Sequence, residues 1–193
     1  MTSDRILVLA GSVRRGSVHG LLARHAAATI DSAGRECLRV DLADFEMPLY
    51  HGDLEAEQGV PGAAYRLAEL VGDSGALLIA SPEYNGAVTP LLKNTVDWVT
   101  RIDIGVLRDT YIGLMAASPG RLGGTRGLAM TRTWFENMRL IVHDDELSMP
   151  RVGEHIDPST SGFDSEASAV IDDYVNGYVS GFDEYCQGVP SPD

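Results

Sequence analysis

The chain has 193 residues, a formal net charge of -13 at pH 7, 44% hydrophobic and 22% charged side chains. That balance belongs to a packed globule and excludes a disordered chain, and the length is that of one ordinary domain, 1–193. The acidity argues against general affinity for nucleic acid or for anionic membrane surfaces, which would both repel it.

Taken in chain order, Ile6 to Ala10 reads as a strand over 5–10, too short and too poorly flanked by basic residues for a signal-peptide core. Cys37 and Cys186 stand far apart with no C-x-x-C pair, which suits a reducing cytoplasm, the expected location. A helical pattern over 18–33 is followed by a strand at 36–41 and a long segment, 42–62, carrying Asp53, Glu55 and Glu57. That segment is a candidate border of the site or of a subunit interface. Next come a helix at 60–73 and the unalternating apolar run of Ala76 to Ala80, a strand at 75–80 buried on both faces. Thr89 is placed to cap a helix over 90–101, with Pro90 at its first position and Leu91, Leu92, Thr95, Val96 and Val99 as its apolar stripe. A strand at 110–117, a helix at 123–138 and a strand at 140–145 follow. The polar stretch 146–164 contains Pro150, Gly153, Pro158 and Gly162 and reads as a connection. The final helix, 165–186, repeats Ala167, Val170, Ile171, Tyr174, Val175, Tyr178, Val179 and Phe182 and is expected to pack on the sheet. Val189 to Asp193 are expected to fray.

Five strands alternating with five helices predict an α/β doubly wound parallel sheet with helices on both faces. Right-handed crossovers give the order 2-1-3-4-5, which opens a crevice between the carboxyl ends of strands one and three. Two loops of distinctive chemistry empty into it. The first, Gly11-Ser12-Val13-Arg14-Arg15-Gly16-Ser17, precedes a helix N-terminus, where free N–H groups and partial positive charge suit a phosphate dianion. The second, Ser81-Pro82-Glu83-Tyr84-Asn85-Gly86, runs into Leu92-Lys93-Asn94 and Asp97-Trp98 and can border a flat ring. A phosphorylated planar ligand follows from the topology.

These two motifs, in this order and at this separation, resemble the NADPH-dependent FMN reductase family. Met47-Pro48-Leu49-Tyr50 and Ser118-Pro119-Gly120 with Leu122-Gly123-Gly124 resemble further segments of it, so the resemblance spans about 5–150. It implies a flavodoxin-like three-layer sandwich, noncovalent FMN, and NADPH or NADH as co-substrate. Electrons would pass on to flavin, quinone or another small acceptor, in a homodimer or homotetramer. Position by position, Ser12, Arg14 and Ser17 match the phosphate loop, and Pro82, Glu83, Tyr84, Asn85 and Gly86 match the loop along the isoalloxazine. Ser118 and Gly120 match a minor ring contact. His19 stands where the family usually has Asn; it can still donate to phosphate and adds charge when protonated. No side chain is needed as general acid or base, because the flavin carries the chemistry.

Other readings are weaker. Gly11-x-x-x-x-Gly16 lacks the Lys-Ser/Thr of a P-loop, and the loop lacks the second glycine of a dinucleotide fingerprint. Gly72-Asp73-Ser74-Gly75 has no triad partners, and five histidines show no ligand spacing, so no metal is expected. Lys93 and Asp97 read as an exposed helical ion pair. The rival from another class is a flavodoxin-type FMN electron carrier, which the acidic surface also suits. Against it, the 11–17 loop lacks the hydroxyl-rich phosphate pattern of flavodoxins. A fold relative without cofactor is the third reading.

Overall fold

The computed structural model describes residues 3–188, so the expected fraying of Val189 to Asp193 lies outside the described residues. In chain order the elements are β1 (Ile6–Ala10), α1 (Val18–Ser32), β2 (Cys37–Val40), α2 (Gly52–Gln58), α3 (Gly62–Gly72), β3 (Ala76–Ala80), β4 (Glu83–Tyr84) and β5 (Ala87–Val88). After these come α4 (Pro90–Ile102), α5 (Gly105–Arg108), β6 (Tyr111–Ala117), α6 (Thr125–Asn137), β7 (Ile141–Met149), β8 (Ile156–Asp157), β9 (Gly162–Phe163) and α7 (Ser165–Gly188). The central sheet runs β2-β1-β3-β6-β7, all parallel, with Ile6 opposite both Cys37 and Ala76. Counting sheet strands alone, that is the expected 2-1-3-4-5 order, and the fold is flavodoxin-like.

Alternation along each strand explains the three layers. Ile6, Val8, Leu78 and Met115 join one core with Leu22 and Ala26 of α1 and Ile171, Val175 and Phe182 of α7. Leu7, Leu9, Leu77 and Ile79 join the other with Leu67 of α3, Val96 and Val99 of α4 and Leu128 of α6. Both faces are covered, so the inner strands β1, β3 and β6 read as unbroken apolar runs. Each fully buried large side chain contributes about 1.5–3 kcal/mol, and Trp98, Tyr178, Phe135 and Phe182 are all in that class. Val170, expected on the buried stripe of α7, is half-exposed instead.

The last sheet strand is longer than expected, because pairing breaks and resumes. Ile112 faces Val142, but Leu114 faces Glu146, so His143, Asp144 and Asp145 bulge out against the single residue Gly113. Their charge reads as a strand end, whereas the strand continues to Met149. Tyr174 serves both backbone groups of Leu114 beside the irregularity: its hydroxyl accepts from the N–H at 3.1 Å and donates to the carbonyl at 2.9 Å. The 146–164 connection therefore begins with strand, and it contains the β8–β9 hairpin.

Candidate functional site

Three loops leave the carboxyl ends of neighbouring strands: 11–17 after β1, 81–89 after β3 and 118–124 after β6. Ser17 is the N-cap of α1 in extended conformation, buried, and its hydroxyl makes no cap bond. An N-cap serine normally spends that oxygen on the helix's own orphan N–H groups. Here the hydroxyl and the first-turn N–H groups are left for something else, and an anion such as phosphate has the acceptors to match them. Ser12 Oγ accepts weakly from Arg14 N–H at 3.4 Å, and the Arg14 side chain is exposed.

His19, on the first turn of α1, is buried and turned toward the sheet, where its Nε2 accepts from the Ala117 N–H at 3.3 Å. Burial, with repulsion from Arg14 adding, lowers its pKa from 6.5 to about 4. The ring is thus neutral near pH 7, with Nδ1 as its remaining donor. The charge expected on protonation belongs to the acid range. What His19 does structurally is tie the phosphate loop to the end of β6.

The ring-side loop contains a short hairpin. Glu83 pairs with Val88 and Tyr84 with Ala87, joined by Asn85 at φ +54 and Gly86 at φ +79. Two consecutive positive φ values make a type I′ turn, and Asn-Gly is the dipeptide it favours. Pro82 is buried, Glu83 half-buried, and Tyr84 and Asn85 are exposed. The Glu83 carboxylate accepts from Gly127 N–H at 2.9 Å in the first turn of α6, so it anchors the hairpin to a helix N-terminus. Thr89 is buried, accepts from Leu92 N–H at 3.3 Å as the expected cap, and also donates to the Gly11 carbonyl at 2.9 Å. A Cβ on Gly11 would sit 3.1 Å from Pro82 Cδ. The first two loops are therefore in direct contact.

Ser118 and Gly120 lie in the third loop, held from below by the chain after β7: Ser118 N–H donates to Met149, Val152 N–H to Ser118 and Arg151 N–H to Gly120. The remaining motif residues are structural. Asn94 accepts from Tyr50 N–H at 2.8 Å and donates to the Pro48 carbonyl at 2.9 Å; Trp98 Nε1 donates to that same carbonyl at 2.7 Å. They clamp the Met47–Tyr50 segment onto α4, a role that only the joint presence of both motifs hinted at. Leu49, at the tip of the clamped segment, is 78% exposed. Lys93 and Asp97 form the expected exposed ion pair at 2.6 Å. Burial pushes the Cys37 thiol up to about 12, so it is not a thiolate at neutral pH.

The protein-family model described as NADPH-dependent FMN reductase matches residues 5–154. Among characterised relatives, the chain is similar to the quinone reductase of Escherichia coli K12, 28% identical over 192 residues and covering 96% of each chain. It is also similar to an NAD(P)H-dependent FMN reductase of Pseudomonas aeruginosa, 33% identical over 128 residues, 65% of this chain and 66% of that one. Among solved structures, the NAD(P)H:(acceptor) oxidoreductase FerB of Paracoccus denitrificans superposes with a TM-score of 0.77 at 20% identity. It covers 94% of this chain and 98% of that one, a likeness of fold.

Proposed function

The chain belongs to the NADPH-dependent FMN reductase family, and from that premise we propose that it binds FMN across the β1, β3 and β6 loops and acts as an NAD(P)H-dependent flavin or quinone reductase. The observation that carries the assignment of residues is the state of the 11–17 loop: its N-cap hydroxyl, Ser17, is left unspent, and Thr89 fastens its Gly11 to the ring-side hairpin. Ser12, Arg14 and Ser17 hold the phosphate, with Nδ1–H of His19 as a further donor. Pro82, Glu83, Tyr84, Asn85 and Gly86 form the border of the ring, and Ser118 and Gly120 meet its far edge.

Bound FMN supplies the redox chemistry, moving two electrons from NAD(P)H to the acceptor. The protein's part is positional. Neutral His19 and the Thr89 bond fix the phosphate end against the sheet. Glu83, committed to Gly127, holds the hairpin against the start of α6. Among the described residues no group of His, Cys, Asp and Glu is disposed to hold a metal, and none of these roles uses one.

The homo-oligomer, which rests on the family resemblance, is part of the same proposal. So are one domain over 1–193 and a cytoplasmic location. Among the described residues no helix is long and apolar enough to cross a membrane. The test is to mix purified protein with FMN without oxygen, add NADPH, and follow bleaching of the flavin's visible absorption against a protein-free control. Rapid protein-dependent bleaching is expected. FMN that binds but stays oxidised with NADPH and NADH alike would replace the reductase with an electron carrier.

A further inference from the structure

The bulge in β7 brings the half-buried His143 to Tyr111, the first residue of β6, with its Nδ1 2.6 Å from the Tyr111 hydroxyl. Two features hold that meeting in place. Arg132 of α6 donates to the carbonyl of His143 at 2.7 Å and to that of Asp144 at 3.1 Å, which fixes the bulge. On α7, Gly181 lies against the pair: a Cβ there would stand 2.6 Å from Tyr111 Oη and 3.0 Å from His143 Nδ1. Glycine inside a helix costs about 1 kcal/mol relative to alanine, and here it leaves the room that the pair occupies. Because Tyr111 opens its strand, the pair sits at the opposite end of the sheet from the 11–17, 81–89 and 118–124 loops, and the reductase chemistry does not use it.

The phenol is the donor of this bond. A length of 2.6 Å falls below the ordinary range for N–H donation and within that for O–H donation. Burial raises the Tyr111 pKa to about 12, which keeps the proton on oxygen at rest. Burial also lowers the His143 pKa from 6.5, with Asp145 and Asp144 opposing and Arg132 adding, so the neutral ring has Nδ1 open to accept. A phenol that loses an electron becomes a strong acid, and a base already bonded to it makes that electron easier to remove. The other bonded tyrosines lack such a base. Tyr174 and Tyr178 donate to the backbone carbonyls of Leu114 and Tyr111, which cannot keep a proton, and Tyr50 donates to the Glu55 carboxylate, a weaker base than imidazole. Tyr111 also has a route outward, because its ring stacks on that of half-buried Tyr185 with centroids 5.4 Å apart.

We propose that Tyr111 and His143 form a one-electron redox site, at which organic peroxyl radicals oxidise Tyr111 in preference to the exposed tyrosines of the protein. One electron leaves Tyr111 by way of Tyr185 for the peroxyl radical, which becomes a peroxide anion and takes a proton from water. The phenolic O–H bond breaks and its proton moves to Nδ1 of His143, leaving a neutral tyrosyl radical beside an imidazolium. The test treats the purified protein with a water-soluble azo compound that releases peroxyl radicals, freezes it and records the electron paramagnetic resonance spectrum. Wild type should show a tyrosyl signal. Tyr65→Phe and Tyr84→Phe should keep it, although those side chains are 49% and 53% exposed against 8% for Tyr111, and Tyr111→Phe should lose it. His143→Asn, whose amide oxygen stands near the place of Nδ1 and can accept the hydrogen bond but not the proton, should lose most of it. No signal in wild type, a signal that survives Tyr111→Phe, or one abolished by Tyr65→Phe or Tyr84→Phe overturns the site. A full signal in His143→Asn overturns it too, because the base is then not required.

Discussion

Thr89 Oγ1 donates to the carbonyl of Gly11 at 2.9 Å while accepting from Leu92 N–H, so one buried hydroxyl both starts α4 and fastens the phosphate loop to the ring-side hairpin. Removing it leaves a buried carbonyl without this donor and an uncapped helix. Thr89→Ala should cost about 1.5–3 kcal/mol in unfolding free energy and weaken FMN binding, whereas Thr89→Ser should restore most of both. Urea titration with parallel flavin titration checks this; a stability loss with FMN affinity intact would mean the two loops need no joint.

Arg14 makes no side-chain bond within the described chain, so its removal should leave the fold alone and act on the ligand. Arg14→Ala should weaken FMN binding by about 1.5–3 kcal/mol with little change in thermal midpoint. Titration followed by quenching of flavin fluorescence measures it, and unchanged affinity contradicts the phosphate assignment.

For His19 the sign of the pH effect follows from burial. Its pKa is lowered from 6.5 to about 4 in the folded chain. Between those values the unfolded chain binds the extra proton, so stability is full above pH 6.5, falls as pH drops through the window, and levels off below 4. The whole effect is about 3 kcal/mol at most. His19→Gln, whose amide oxygen reaches the place of Nε2 and can accept from Ala117 N–H, should flatten that slope. Urea midpoints of both proteins at about pH 4.5 and about pH 7.5 compare the two, and parallel slopes would show that His19 is not the titrating group.

Gly86 holds φ +79 at the second position of the hairpin turn. Gly86→Ala should cost about 1–2 kcal/mol, felt mainly in the hairpin. The expected readout is faster amide hydrogen exchange in β4 and β5 together with weaker FMN binding. Unaltered exchange there would mean that the turn does not organise the ring border.

The three inner strands β1, β3 and β6 were legible because burial on both faces leaves unbroken apolar runs, and Thr89-Pro90 marked the start of α4 through local capping chemistry. What escaped was short or non-local. The β4–β5 hairpin has two-residue strands with no period to detect, although Asn85-Gly86 carries its turn signal. The continuation of β7 hid behind His143-Asp144-Asp145, whose charges are tolerated because they bulge away from the sheet. The candidate loops were found from their own residues, but their fastenings were not. Thr89 to Gly11, Glu83 to Gly127 and His19 to Ala117 join residues from different elements.

Those fastenings also order events in time. The phosphate loop is made early in synthesis, yet Thr89 and Ala117, which hold it, come 78 residues after Gly11 and 98 after His19. A nascent chain ending before β6 has the loop and Thr89 but not Ala117, and long-range closures of this kind form late. The 11–17 loop is thereby held in its final form only once β6 has been made and docked.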